Sequence, residues 1–309
     1  MTEGGVQPVT GTALPHPRTR GSTGGAARCA ARARARIAAL AAFLLLSACS
    51  TVQLGYNSAD ALLRWRGNQY FDFQGEQSEI YAQKVERFMR WHRTHALPEY
   101  VKVADDAARR IERGLSRADL EWGYESARQH VKTALRVGAG EVADLLDQLG
   151  PAQFDNLERR LARDNRDFAK EQLEGTPEER RRKRVKRTVE RLEDWVGDLS
   201  GAQIERVRLY SARAPLVGDF RDQERRQLQR GLVAMLRSRE AGARLADFAV
   251  HWDRNRTPEF DRANRAHTEE AFSLIIDLDR TLTQGQREKA AHRMRTLASD
   301  FAELARNTQ

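Results

Sequence analysis

Few side chains in this 309-residue chain combine reactive chemistry with suggestive spacing. Cys49 places one thiol directly after an apolar run, where it could take a covalent group. His92 and His95, with Glu99 close by, are ligand types for a divalent metal. Their i, i+3 spacing crosses a helix end and lacks a third defined ligand, so packed or solvated histidines are expected instead. The run Arg180-Arg181-Arg182-Lys183-Arg184-Val185-Lys186-Arg187 is the densest local charge and could meet phosphates. No H-E-x-x-H, G-x-S-x-G, Walker-type or dinucleotide-binding pattern follows residue 48, and no carboxylate stands in an apolar setting that would suit acid–base work. No catalytic residue, cofactor or metal is assigned, and a non-enzymatic role is expected.

The stretch that positions Cys49 has three parts. Arg32, Arg34 and Arg36 precede ten apolar residues from Ile37 to Leu46, and small residues follow. That order describes a secretory signal. At about 1.5 Å per residue the run covers roughly half of a bilayer core, too little to span it. Leu46-Ser47-Ala48-Cys49 resembles the lipobox of bacterial lipoproteins. The resemblance implies a diacylglyceryl thioether on Cys49, cleavage before it and acylation of the new amino terminus. An ordinary cleaved signal or an uncleaved signal anchor is the alternative. Ser50, in place of Asp, implies release to the outer membrane under enteric-type sorting. Residues 1–48 are thus expected to be a signal peptide with a long basic leader, whose length suggests a start codon assigned too early. Residues 49–56 are expected to be a lipidated tether, and 57–309 one helical domain.

Removing the leader changes the charge argument. Residues 1–48 hold six arginines and one acid, so the formal charge falls from +9 to about +4 beyond them. Overall basicity is therefore no argument for nucleic acid, and export argues against that partner. Cys29 leaves with the leader and Cys49 is lipidated, so no disulfide is expected. With 31% charged and 7% aromatic residues, the chain reads as an exposed helical protein.

Apolar residues recur at three- to five-residue spacing, as in Ile80, Tyr81, Val85, Phe88, Met89 and His92. No segment alternates with period two. The expectation is an all-α multi-helix bundle of stacked antiparallel hairpins, about ten helices and no sheet. A brief helix over 59–66 is closed by Gly67, a loop follows at 70–73, and the next helix ends near Leu97 because Pro98 cannot continue it and instead suits N1 of the helix that follows. Further boundaries are expected at Gly114-Leu115-Ser116, Gly138-Ala139-Gly140, Leu149-Gly150-Pro151, Gly175-Thr176-Pro177, Leu199-Ser200-Gly201, Pro215, Thr257-Pro258 and Leu282-Thr283.

Two echoes recur. Trp91-His92-Arg93 before Pro98-Glu99-Tyr100 matches Trp252-Asp253-Arg254 before Pro258-Glu259-Phe260. Duplicated halves and coincident helix-boundary chemistry explain it equally well. Leu115-Ser116-x-x-Asp119, Leu199-Ser200-x-x-Gln203 and Leu282-Thr283-x-x-Gln286 read as capping boxes, with Leu149-Gly150-x-x-Gln153 a degenerate copy. The last full box also resembles the L-T-x-x-Q element of Spy/CpxP-type periplasmic chaperones. In the basic run, Glu178–Arg182 and Glu179–Lys183 are expected as i, i+4 pairs on a solvated helix. The alternative is an anionic-surface site at Arg181, Arg182, Lys183 and Arg184. Trp65, Trp91, Trp122, Trp195 and Trp252 are expected to pack the core, or else to line a ligand groove.

The block from Cys49 through Leu54-Gly55-Tyr56-Asn57, Asp60, Leu62-Leu63-Arg64-Trp65, Tyr70, Asp72 and Gln77 to Trp91-His92-Arg93, Leu97-Pro98 and Tyr100 is similar to a proteobacterial lipoprotein family known as a domain of unknown function. That resemblance implies an envelope lipoprotein and supplies no catalytic residues. Asn57, Asp60, Arg64, Tyr70, Asp72 and Gln77 are a candidate polar patch near the tether, or a hydrogen-bond network fixing the first helix. The expected role is a lipid-anchored scaffold or adaptor whose partner is an envelope protein or anionic lipid. A helical periplasmic chaperone is the alternative.

Overall fold

The computed structural model describes residues 51–254 and 256–307, so Leu46, Ser47, Ala48 and Cys49 lie outside the described residues. Residues 50–309 form one compact unit. The helices are α1 (Thr51–Asn57), α2 (Ala59–Phe71), α3 (Glu76–Trp91), α4 (Leu97–Arg113), α5 (Arg117–Leu146), α6 (Pro151–Phe168), α7 (Pro177–Val196), α8 (Gly201–Arg213), α9 (Gly218–Arg237), α10 (Ala241–Val250), α11 (Pro258–Asp279) and α12 (Gln284–Arg306). No strand occurs among the described residues, and the fold is all-α. None of these helices is long and apolar enough to cross a membrane.

Capping chemistry sets most starts. Asp119, Gln203 and Gln286 each donate a backbone amide to the hydroxyl of Ser116, Ser200 or Thr283. Their side chains accept from the cap amide in return. Thr176 and Glu179 form a further box that starts α7. The boxes also tie the fold together. Gln203 and Gln286 exchange amide hydrogen bonds of 3.0 and 3.2 Å, so the starts of α8 and α12 hold each other. Gln153 accepts from the Gly150 amide and donates across to Phe71 O and Gln77 Oε1. The Ser116 hydroxyl and amide, with Arg113 and Arg110, hold the buried Asp119 carboxyl well below the usual carboxylate range.

Several expected breaks are absent. Gly67 lies inside α2, buried against the Tyr81 ring, and the helix runs on to Asp72, whose left-handed conformation (φ 48°) ends it. Gly138 and Gly140 lie inside α5, where Gly138 sits under the Phe88 ring of α3. Pro98 takes the first turn of α4, as expected, but no loop precedes it. His92–Ala96 winds as a π-helix in which the Leu97 amide donates to His92 O, and the backbone passes into α4 without a loop. The wider turn removes the clash that a proline ring makes with the carbonyl four residues back. The matching segment at Trp252 is a turn, and Thr257 caps α11 after it, so the first echo adopts two different structures.

The expected tether is helical from Thr51. Gln53, on α1, is buried and donates to Asp300 Oδ1 (3.0 Å) and Glu303 Oε2 (2.8 Å) of α12. The most extensive pairings join distant helices: α4 with α12 along a seam of Ala104, Ala108, Ala290, Ala291 and Ala298, and α5 with α10. One core gathers Phe73, Leu145, Leu146, Leu149, Phe154, Leu157, Met235, Leu236 and Leu245. A second, of Leu199, Val207, Leu274 and Leu278, packs α8 and α11 under Val185, Val189 and Leu192 of α7. Each fully buried leucine contributes about 2 kcal/mol.

The tryptophans depart from expectation. Trp65 is exposed and the other four are half-buried. Four carry a cation over the ring: Arg66 on Trp65, Arg110 on Trp122 at 4.0 Å, Arg293 on Trp195 and Lys132 on Trp252. Each of these contacts sets a cation against the negative face of an indole.

Candidate functional site

The expected polar patch does not assemble as one surface. Asp60 and Arg64 pair with each other at 3.2 Å along α2. Tyr70 donates to Asp164 of α6, Gln77 accepts from Gln153, and Asp72 is the left-handed end of α2. No side-chain hydrogen bond involves Asn57 among the described residues. Tyr70 and Gln77 thereby tie α2 and α3 to α6. Asp72 alone of the six lines a cavity of about 310 Å³, with Trp65, Asn68, Arg159, Arg160 and Arg163.

His92, His95 and Glu99 also diverge. His92 bonds Tyr56 (Nδ1, 2.9 Å) and faces Tyr100, His95 bonds Thr94, and Glu99 pairs with Lys102. No cluster of three His, Cys, Asp or Glu that could hold a metal occurs among the described residues.

The basic run is where the structure gathers chemistry. Within α7 its residues point all round the helix. Arg182 and Lys183 face solvent, and the pairs formed are Glu178–Arg181 at 3.7 Å and Glu179–Arg182 at 4.0 Å, one residue closer than expected. Arg184 turns inward, so Arg181, Arg182, Lys183 and Arg184 do not share one anionic-surface face.

Arg180, Arg184, Arg187 and Arg191 do share a face, since offsets of four, seven and eleven return to one side of a helix. They line a cavity of about 410 Å³ together with Arg221 of α9, Tyr210 of α8, His267 of α11 and Glu171 and Gln172 of the π-wound stretch Ala169–Leu173. Glu171 is the one lining carboxylate.

Local sequence explains how Arg184 is held. Ala214 is extended before Pro215, which stops α8 and leaves its last carbonyls open. Arg184 fills that end: Nη2 donates to Ser211 O (2.6 Å) and Ala214 O (2.8 Å), Nη1 to Pro215 O (3.1 Å), and Nε to Ser211 Oγ (3.1 Å). A cation at a helix C-terminus also complements its dipole. Among the described residues no carboxylate touches Arg184, and burial pulls its pKa below the usual arginine value. Burial likewise lowers His267, whose Nδ1 lies 3.2 Å from Pro215 O, and raises Tyr210.

The other arginines are less committed. Arg180 reaches Asp219 at 3.1 Å, and Arg187 stands 4.0 Å from Glu171. Arg191 and Arg221 make no side-chain ion pair or hydrogen bond among the described residues. Chemically the site concentrates positive charge and hydrogen-bond donors with little opposing negative charge. Arg180, Arg184 and Arg187 belong to the run the sequence singles out, and Arg191 was legible from helical spacing. Arg221 and His267 carry no local signal, because only the packing of α9 and α11 brings them in.

Residues 69–260 match the family described as a family of unknown function (DUF6279). The match begins after the block from Cys49 to Trp65, and it covers every arginine of the cavity but not His267. No curated protein and no solved structure matches the chain. With well over half of its length matched, the chain belongs to the DUF6279 family.

Proposed function

We propose that the protein is a lipoprotein of the bacterial outer membrane, anchored through a diacylglyceryl group on Cys49, facing the periplasm and working as a non-enzymatic helical scaffold or adaptor for other envelope components. The observation that carries this reading is Leu46-Ser47-Ala48-Cys49 at the end of its apolar run. The start of the body supports it. α1 begins two residues after Cys49, a reach of at most about 7 Å, and Gln53 fastens it to α12. A lipid on Cys49 therefore brings α1 and α2 to the bilayer surface. In this stretch Leu54, Leu62 and Trp65 are 58%, 54% and 54% exposed, side chains suited to a membrane interface. In Cys49→Ser, incorporation of labelled palmitate is expected to vanish and the protein to move from the membrane pellet to the soluble fraction. Retention in the pellet at the wild-type level contradicts the anchor. Crosslinking in intact cells is expected to return one recurrent envelope partner.

One observation favours the chaperone reading. An apolar groove of about 490 Å³ runs between α3 and α5, lined in part by Val85, Phe88, Val131 and Leu135. A chaperone suppresses aggregation of an unfolded client at near-stoichiometric ratio, and Leu135→Asp should then abolish the effect.

A further inference from the structure

The arginine-lined cavity supports a second inference, independent of the envelope reading. Four guanidinium groups on one face of α7 and a fifth from α9 meet a single lining carboxylate. Arg184 is committed to the end of α8 and Arg180 to Asp219. Arg191 and Arg221 have no carboxylate partner, and the hydroxyls of Thr188 and Tyr210 have no hydrogen-bond partner, among the described residues. Planar guanidinium forks combined with hydroxyls form the donor set that surrounds a tetrahedral oxyanion. The volume of about 410 Å³ lies within the range of small-molecule pockets. Leu216 and Val217 add an apolar wall for a carbon portion.

We propose that this cavity binds a phosphorylated ligand carrying at least two negative charges, with Arg187, Arg191 and Arg221 on the phosphoryl oxygens and Arg184 positioning the wall. A lone carboxylate would leave most of the lining charge unmatched. The downward pull on Arg184 and His267 has the direction expected of a partly buried site short of negative charge.

The test is isothermal titration of the full chain, in neutral detergent and at ~0.15 M chloride to suppress diffuse surface binding, with pyrophosphate as probe. The expected result is saturable binding that weakens about tenfold or more in R191Q/R221Q and stays within about twofold of wild type in the solvent-facing control R182Q/K183Q. Arg191 and Arg221 are exposed at the cavity mouth, so an unchanged melting temperature is expected. R221Q alone, read in the same way, serves if the pair lowers it. Phosphatidic acid presented in mixed micelles of the same detergent that displaces pyrophosphate assigns the ligand to a lipid headgroup, and failure to displace assigns it to a soluble phosphate ester. Absence of saturable binding to wild type, or equal weakening in R182Q/K183Q, overturns the proposal.

Discussion

Arg184 and Arg191 lie seven residues apart on one helix face, yet packing gives them opposite roles. Arg184 satisfies the end of α8 with three carbonyl contacts and a serine hydroxyl, whereas Arg191 stands at the cavity mouth with no ion pair among the described residues. Arg184→Ala should therefore cost about 2 kcal/mol, because it strips partners from buried carbonyls. Arg191→Ala should stay within about 0.5 kcal/mol of wild type. Denaturant melts of the two variants check this, and equal losses would mean that Arg184 is not the α8 cap. The same pair marks the limit of what sequence could say. A run of cations is visible as a run, and its spacing shows which members share a face. Which face turns inward depends on where Pro215 ends α8, and His267, about 80 residues further on, gives no local sign of joining the site.

At the scale of elements, capping was legible, and so were the breaks at Gly114, Gly150-Pro151, Gly175-Thr176-Pro177, Pro215 and Thr257-Pro258, whereas the continuity of helices through glycine and the π-winding before Pro98 were not. Ser116, Ser200 and Thr283 start helices as their boxes predict, because a capping box is closed within four residues. Gly67 and Gly138 look like stops but are read through, and Pro98 starts α4 with no loop before it, since what decides each case comes from elsewhere in the fold or from a change of winding. At Gly67 it is the Tyr81 ring, at Gly138 the Phe88 ring, and at Pro98 the π-turn over His92–Ala96. The glycines give a paired prediction. Gly140→Ala meets nothing within contact range and should stabilise the protein by up to about 1 kcal/mol through helix propensity. Gly67→Ala must displace the Tyr81 ring, which lies tilted against Phe73 and donates to Leu63 O at 2.9 Å. It should cost about 1–2 kcal/mol despite the same propensity gain. Thermal melts that moved both variants in one direction would contradict the packing assigned to α2 and α3.

For the whole molecule, the decisive feature is that the chain is held to its body almost from the first described residue. α1 docks through Gln53 and through Tyr56, whose hydroxyl meets His92 Nδ1 at 2.9 Å beside Arg93 and Tyr100. Burial lowers the His92 pKa below its ordinary value, so the undocked state takes up the proton more readily. Docking is therefore strongest above about pH 6.5 and weakens as pH falls below it. Hydrogen exchange over residues 51–57, corrected for intrinsic rates, should be faster at about pH 5 than at about pH 7.5. Identical protection at both would remove His92 from the docking. A body docked this close to Cys49 is also what the central claim needs, because a lipid there would seat α1 and α2 on the membrane. That claim is tested most directly by mass spectrometry of the amino-terminal peptide from protein isolated from membranes. The account predicts a peptide that begins at Cys49 and carries a diacylglyceryl group with an additional acyl chain on its amine. A mature terminus elsewhere, or an unmodified Cys49 thiol, would contradict it.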